Sequence, residues 1–331
     1  NPNYITNTVE LVAQVIIPIA MVIAFGIFIR RRKLSWVIFG VMTVGMLLLL
    51  IPTLSSELGG SPALEKMGIS QTTGAMEGKE VRFGPAISAY WSTVTTIIST
   101  GSVNSMHDST MPLTGAWQLL GMMINSFYGG CGVGILNYFI YLIIAVFISG
   151  LMVGRTPEFL GHKVEAREVK IAALVTLLSP FLILAGTALS SFVFTNYGQA
   201  EWAVQPQNWL NNPSFHGFSE MLYEVTSSNA NNGSGFEGLG DNTPWWNISC
   251  VIVLLLGRYL PLVIPLLIAG LLAKKRQIPV SNGTLPLHNL TFGVTLVTVI
   301  LILNFLSFLP SMVLGPIGEA LELTSIAGDL K

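Results

Sequence analysis

Charged side chains are what this sequence has least of. Lys, Arg, Asp and Glu make up 10% of its 331 residues, against about a quarter in an ordinary soluble domain, and that scarcity excludes a water-soluble globular protein. The two signs nearly cancel, leaving a net charge of −1, and with no basic stripe no nucleic-acid partner is expected. Cysteine is scarce too. Cys131 and Cys250 both lie in apolar surroundings, are too few for a thiolate metal site, and read as packing residues, not a disulfide pair. There is no GxxxxGK[ST] phosphate loop and no Asp-Lys-Thr-Gly phosphorylation motif, so ATP hydrolysis by either route is expected of another chain. No signal-peptide pattern precedes the first apolar run, and with Asn1 in first place the sequence reads as beginning partway through a larger protein.

Apolar residues are abundant, at 51% of the chain with a mean hydropathy of +0.65. They are gathered into runs, and about 20 such residues, rising about 1.5 Å each, make one bilayer crossing. Residues 11–29, 36–54, 171–191, 245–273 and 291–309 each meet that length, and 113–153 is twice what one crossing needs. An all-α polytopic membrane protein with six spans is expected. Basic residues give its orientation: Arg30, Arg31, Arg32 and Lys33; Arg155, Lys163, Arg167 and Lys170; Lys274, Lys275 and Arg276. By the positive-inside rule these three segments are cytoplasmic, which places both termini outside.

Two stretches do not fit simple crossings. Residues 84–108, GPAISAYWSTVTTIISTGSVNSMHD, begin with an uncharged 15-mer that is too short to span and has Pro85 in its first turn. Residues 217–240, GFSEMLYEVTSSNANNGSGFEGLG, are polar yet stand just before an apolar run. Each reads as a short helix followed by a polar turn centred on Gly101 or Gly233. Irregular backbone at membrane depth is tolerated only where it lines a water-filled path, so each is expected to be a re-entrant pore helix with a filter-like turn. The partly negative C-terminal ends of such helices favour a cation. The alternative, two loops lying on the outer membrane surface, leaves the repetition unexplained.

The order of span, outer loop, short helix with turn, and long crossing occurs twice. It divides the chain into an opening span (1–33), two pore repeats (34–170 and 171–276), and a final span with an outer tail (277–331). Gly129, Gly130, Gly132 and Gly134 interrupt the long run 113–153. Arg258 stands well inside a span, where a charge costs about 2.5–3.5 kcal/mol unless it faces a cavity or a carboxylate. Glu220 and Glu224, one helical turn apart, read either as a cation-concentrating pair at a pore mouth or as a solvated outer turn. His107-Asp108-Ser109 has the look of an acid–base cluster, but neighbours in sequence do not form a triad, and a loop near solvent is expected there.

The stretches RFGPAISAYWSTVTTIISTGSVNSMHDS, GLMVGRTPEFLGHKVEAREVK, HGFSEMLYEVTSSNANNGSGFEGL and GTLPLHN together closely resemble the KdpA family, the potassium-binding A subunits of Kdp potassium-transporting ATPases. The likeness runs over essentially the whole chain, and GRTPEFLG and NNGS are its most specific parts. It implies the potassium transporter superfamily, built from four membrane-helix/pore-helix/membrane-helix units with one filter segment each. Ser99, Thr100, Gly101 and Ser102 would be the third segment, and Asn231, Asn232, Gly233 and Ser234 the fourth. It further implies an intramembrane gating loop at Gly129, Gly130, Gly132 and Gly134, and Arg258 as a basic residue controlling ion passage beneath the filter. On this likeness the chain has no catalytic residue, carries K+ as transported ion with no other cofactor, and sits in a prokaryotic plasma membrane. Its partners would be a P-type ATPase catalytic B subunit, a C subunit and a small single-span subunit. Family members have more spans than the six read here, so this chain is expected to be the C-terminal part, with the first half of the pore on the same protein or a separate chain. A free-standing channel-like potassium transporter, and an intramembrane enzyme using His107 and Asp108, are the competing expectations.

Overall fold

Asn3 begins the first helix by satisfying amides that the helix itself cannot: its Oδ1 accepts the Thr6 N–H at 3.0 Å, while Thr6 Oγ1 accepts the Asn3 N–H at 3.3 Å. Helix α1 (Tyr4–Phe28) is then unbroken, about 37 Å long at 1.5 Å per residue, and the chain turns where Arg30 adopts a left-handed conformation. In this computed structural model, residues 3–129, 133–279 and 285–329 are described. They continue as α2 (Arg32–Gly59), α3 (Pro62–Lys66), α4 (Gly84–Ile98), α5 (Pro112–Ile124), α6 (Val133–Val153), α7 (Ala166–Asn196), α8 (Phe215–Ala230), α9 (Pro244–Ala273), α10 (Leu290–Met312) and α11 (Gly318–Asp329). The expected all-α class holds, with one small addition: β1 (Glu158–Phe159) and β2 (His162–Lys163) form a two-residue antiparallel hairpin between α6 and α7.

Among the described residues, six helical stretches are long and apolar enough to cross a membrane: Tyr4–Phe28, Arg32–Lys66, Val133–Val153, Ala166–Asn196, Pro244–Ala273 and Leu290–Gly328. Their outward faces carry apolar side chains, such as Phe28 and Ile5 on α1 and Leu266 on α9, which are exposed. That surface is stable against lipid and not against water. The uncharged 15-mer is α4, over the same residues, and reaches only about 22 Å. The long run 113–153 is broken, because α5 stops at Asn125, whose left-handed backbone (φ 41°) ends the helix.

Short helices sit inside a wall of long ones. Helix α4 packs against α1, α2 and α5, and α8 against α5, α7 and α9; Val94, Leu119, Leu222 and Tyr223 at these contacts are fully buried. The three basic segments gather at one end of the molecule. Lys275 pairs with Glu168 (2.7 Å) and Glu165 (3.1 Å) and donates to the Lys163 carbonyl, while Arg30 to Lys33 share a cavity of about 710 Å³ with Glu158 and Gly161. The C-terminal residues expected as a tail are instead folded: a wide turn at Val313–Ile317, containing Pro316, leads into α11, which returns against α3 and α8.

Candidate ion-binding site

Two turns with one backbone pattern meet at the centre of the chain. After α4, Ser99 is left-handed (φ 59°), Thr100 donates its N–H to the Thr95 carbonyl, and Gly101 has φ +75°. After α8, Asn231 is left-handed (φ 53°), Asn232 donates its N–H to the Ser227 carbonyl, and Gly233 has φ +102°. Both glycines occupy a region that L side chains reach only at a cost of about 1–2 kcal/mol. The turns also touch: a Cβ on Gly101 would overlap the Asn232 carbonyl oxygen, whereas one on Gly233 would meet nothing within 4 Å. A side-chain tie joins them as well, from Asn232 Nδ2 to the Thr95 carbonyl at 2.7 Å.

Most side chains of the eight expected filter residues hold the turns in shape. Trp91 Nε1 donates to the Ser102 carbonyl at 2.8 Å, and Gln14 Nε2 to Ser102 Oγ at 3.0 Å. Ser234 Oγ donates to Asn232 Oδ1 and meets the Tyr223 hydroxyl at 2.9 Å. Asn231 Nδ2 reaches the carbonyls of Ser228 and Leu254. The backbone carbonyls of Ser99, Thr100, Gly101, Asn231, Asn232 and Gly233 accept no hydrogen bond among the described residues. Six unspent carbonyls on two touching turns form a donor set suited to a dehydrated monovalent cation. Ser99, Thr100 and Asn231 line a cavity of about 580 Å³, and its charged lining residues are Glu10 and Arg258.

Asn125, which sequence reading passed over, stands between the turns. Its Oδ1 accepts from Ser99 Oγ at 3.0 Å, its Nδ2 lies 3.5 Å from the Ala230 carbonyl, and its own carbonyl accepts from Asn137 Nδ2. An Asn shortly before a glycine run inside an apolar stretch was the signal available. Of the expected gating glycines, Gly129 and Gly134 press backbone to backbone, so closely that a Cβ on Gly134 would overlap the Gly129 carbonyl. Gly130 and Gly132 lie outside the described residues.

His107 and Asp108, expected near solvent, are buried, although Val103 and Met106 of the same loop are exposed. His107 is fully buried, and its Nδ1 lies 2.9 Å from the Tyr223 hydroxyl, so that His107, Tyr223, Ser234 and Asn232 form one chain of contacts onto the second turn. Burial, aided by the positive charge of Lys79, pushes the His107 pKa down to about 4 and keeps the ring neutral. Glu237 closes the loop by accepting the N–H groups of His107 and Asp108. Asp108 Oδ1 meets His216, not His107, so the two do not form the acid–base pair an intramembrane enzyme would need. Neither reading of Glu220 as a mouth or solvated residue survives, because its side chain is wholly buried. Glu224 is partly buried, with Cys250 Sγ 3.4 Å from its carboxylate.

A family profile described as the potassium-transporting ATPase A subunit, KdpA, matches residues 1–321. The chain belongs to the KdpA family. It is 64% identical over 321 residues to the potassium-transporting ATPase potassium-binding subunit of Flavobacterium psychrophilum, and 65% over 322 residues to that of Flavobacterium johnsoniae. To the same subunit of Geobacillus kaustophilus it is 44% identical over 323 residues. These matches take in 96%, 96% and 98% of the chain, and 56% of the length of each relative. The two glycine turns, the break after α5 and the arginine in α9 described above all lie within the stretch that the KdpA profile covers.

Proposed function

We propose that this chain supplies two filter segments of the potassium-selecting, non-catalytic subunit of an ATP-driven potassium importer. The observation that carries the reading is the contact between two turns of identical backbone pattern whose carbonyls are left without hydrogen-bond donors. Potassium enters from outside, exchanges water for those carbonyls, and moves past Asn125 toward Arg258. On this reading the turns are the third and fourth of four, and the first two come from the remainder of the same protein or from a second chain; the share of the relatives' length that the chain spans, 56%, supports this. Energy comes from a P-type ATPase B subunit, with a C subunit and a small single-span subunit completing the complex in a prokaryotic plasma membrane.

Arg258 acts as the electrostatic barrier beneath the turns, because a guanidinium stays charged and repels a cation strongly where the dielectric is low. Rubidium flux into proteoliposomes carrying the assembled complex, with and without ATP, tests both levels of the proposal. Arg258→Gln is expected to raise ATP-independent flux or lower ATP-coupled uptake with ion preference unchanged, and Arg258→Lys to fall between. Wild-type flux from Arg258→Gln in both conditions removes the barrier, and equal uptake of sodium and rubidium by the wild type removes the filter.

The basic end faces the cytoplasm in this proposal. Glu77→Cys, in the exposed loop before α4, is expected to react with an impermeant maleimide in intact cells, and Arg31→Cys to react only after lysis. The opposite pattern would invert the orientation and the direction of transport with it.

A further inference from the structure

At the end of the molecule away from the basic segments, three elements converge on one imidazole. His216, in the first turn of α8, has Nε2 3.0 Å from Asp108 Oδ1 and 3.9 Å from Glu220 Oε1, and Nδ1 2.9 Å from Glu319 Oε1 of α11. Glu220 is the anomaly. Its side chain has no exposed surface, and its carboxylate oxygens meet only the loose 3.9 Å pair to His216 and the backbone amides of Asn211 and Asn212, none of them a hydrogen bond of good geometry, which leaves a buried carboxylate undercompensated. The donor atoms of Asp108, His216 and Glu220 all lie within 4.8 Å of one another.

We propose that Asp108, His216 and Glu220 form a divalent-cation site that takes zinc, distinct from the potassium path. One imidazole nitrogen with two carboxylates is a zinc-type donor set, whereas calcium and magnesium take oxygen alone. In a tetrahedral site with bonds of about 2.0–2.1 Å, ligand atoms stand about 3.3 Å apart; the 3.0 and 3.9 Å found here bracket that spacing. The surroundings are those of a supported metal histidine. Glu319 takes Nδ1, which turns Nε2 toward the two carboxylates and raises its basicity, and Glu237 fixes the Asp108 backbone. Gly238 closes the site from the side: a Cβ there would overlap Glu220 Oε1 and come within 2.7 Å of Asp108 Oδ2. The competing occupant is a proton. Burial alone would lower the His216 pKa, but the carboxylates of Asp108 and Glu319 outweigh it and raise the value to about 10, so zinc must displace that proton to bind. Bound zinc would pin α8, the 107–109 loop and α11 together above the second turn.

The test is metal analysis of the membrane-purified protein with its accompanying subunits, stripped with a chelator and dialysed against micromolar zinc chloride. About one zinc per chain is expected in the wild type, with a rise in unfolding temperature, and none in His216→Gln or Glu220→Gln. Glu319→Gln, at a partly exposed position that is not a ligand, is expected to bind zinc about 10- to 100-fold more weakly, and it decides the matter where the ligand variants fail to fold. A wild type that holds no zinc, or a Glu319→Gln protein with wild-type affinity, overturns the site and leaves the shared proton as the cluster's cation.

Discussion

Gly101→Ala is expected to abolish high-affinity potassium binding, while Gly233→Ala stays within about tenfold of the wild type. The two positions look equivalent in sequence, each a glycine in a polar turn after a short helix. They differ in what surrounds them. At Gly101 the new methyl group falls on the Asn232 carbonyl oxygen, a backbone atom that no rotamer change can move, so the two turns must separate and the paired carbonyls lose their common geometry. At Gly233 the space is open and only the positive φ penalises the side chain, by about 1–2 kcal/mol, which converts to about tenfold in affinity. Potassium titration of the complex's ATPase activity, with sodium as competitor, measures both. Equal losses in the two variants would mean that the turns do not touch in the working protein.

Lys79→Met is expected to give the largest loss of stability of any loop substitution. Lys79 Nζ and Glu57 Oε2 form an ion pair at 2.8 Å with both side chains wholly buried, and Glu57 Oε1 accepts the Met111 N–H where α5 begins. Removing one partner strands a buried charge, which costs about 3–5 kcal/mol. The double variant Lys79→Met with Glu57→Gln buries no charge and keeps an acceptor for Met111, so it is expected to recover most of that loss. Thermal unfolding in detergent, run as a double-mutant cycle, gives the coupling. A Lys79→Met protein that unfolds at the wild-type temperature would show the pair to be solvated.

The spans, the two short helices and the glycine turns could be read from sequence because each depends on local features: run length, an uncharged 15-mer, and a residue type that tolerates positive φ. What could not be read depends on partners far apart in the chain. Trp91 resembles any core aromatic until its indole N–H is found on the Ser102 carbonyl. His107 and Asp108 look solvated because nothing nearby announces that Tyr223 and Glu237 will cover them. Glu220 reads as a mouth or solvated residue until Asp108, His216 and Gly238 are found against its carboxylate, and α11 lies beyond the last long apolar run, where nothing in the sequence nearby shows that the chain folds back through a wide turn. Asn125 was passed over because an isolated amide in an apolar run carries no partner in its own neighbourhood.

The tie from Asn232 to the Thr95 carbonyl joins residues 137 positions apart, and this sets an order of events during synthesis. At about 5–20 residues per second, Thr95 is made roughly 7–27 seconds before Asn232 exists. Throughout that interval the turn at Gly101 has neither the amide that fastens it nor the neighbouring carbonyl that shapes it. The first half of this candidate ion site is therefore born unfinished, and it takes the shape described above only once the last third of the chain has been made.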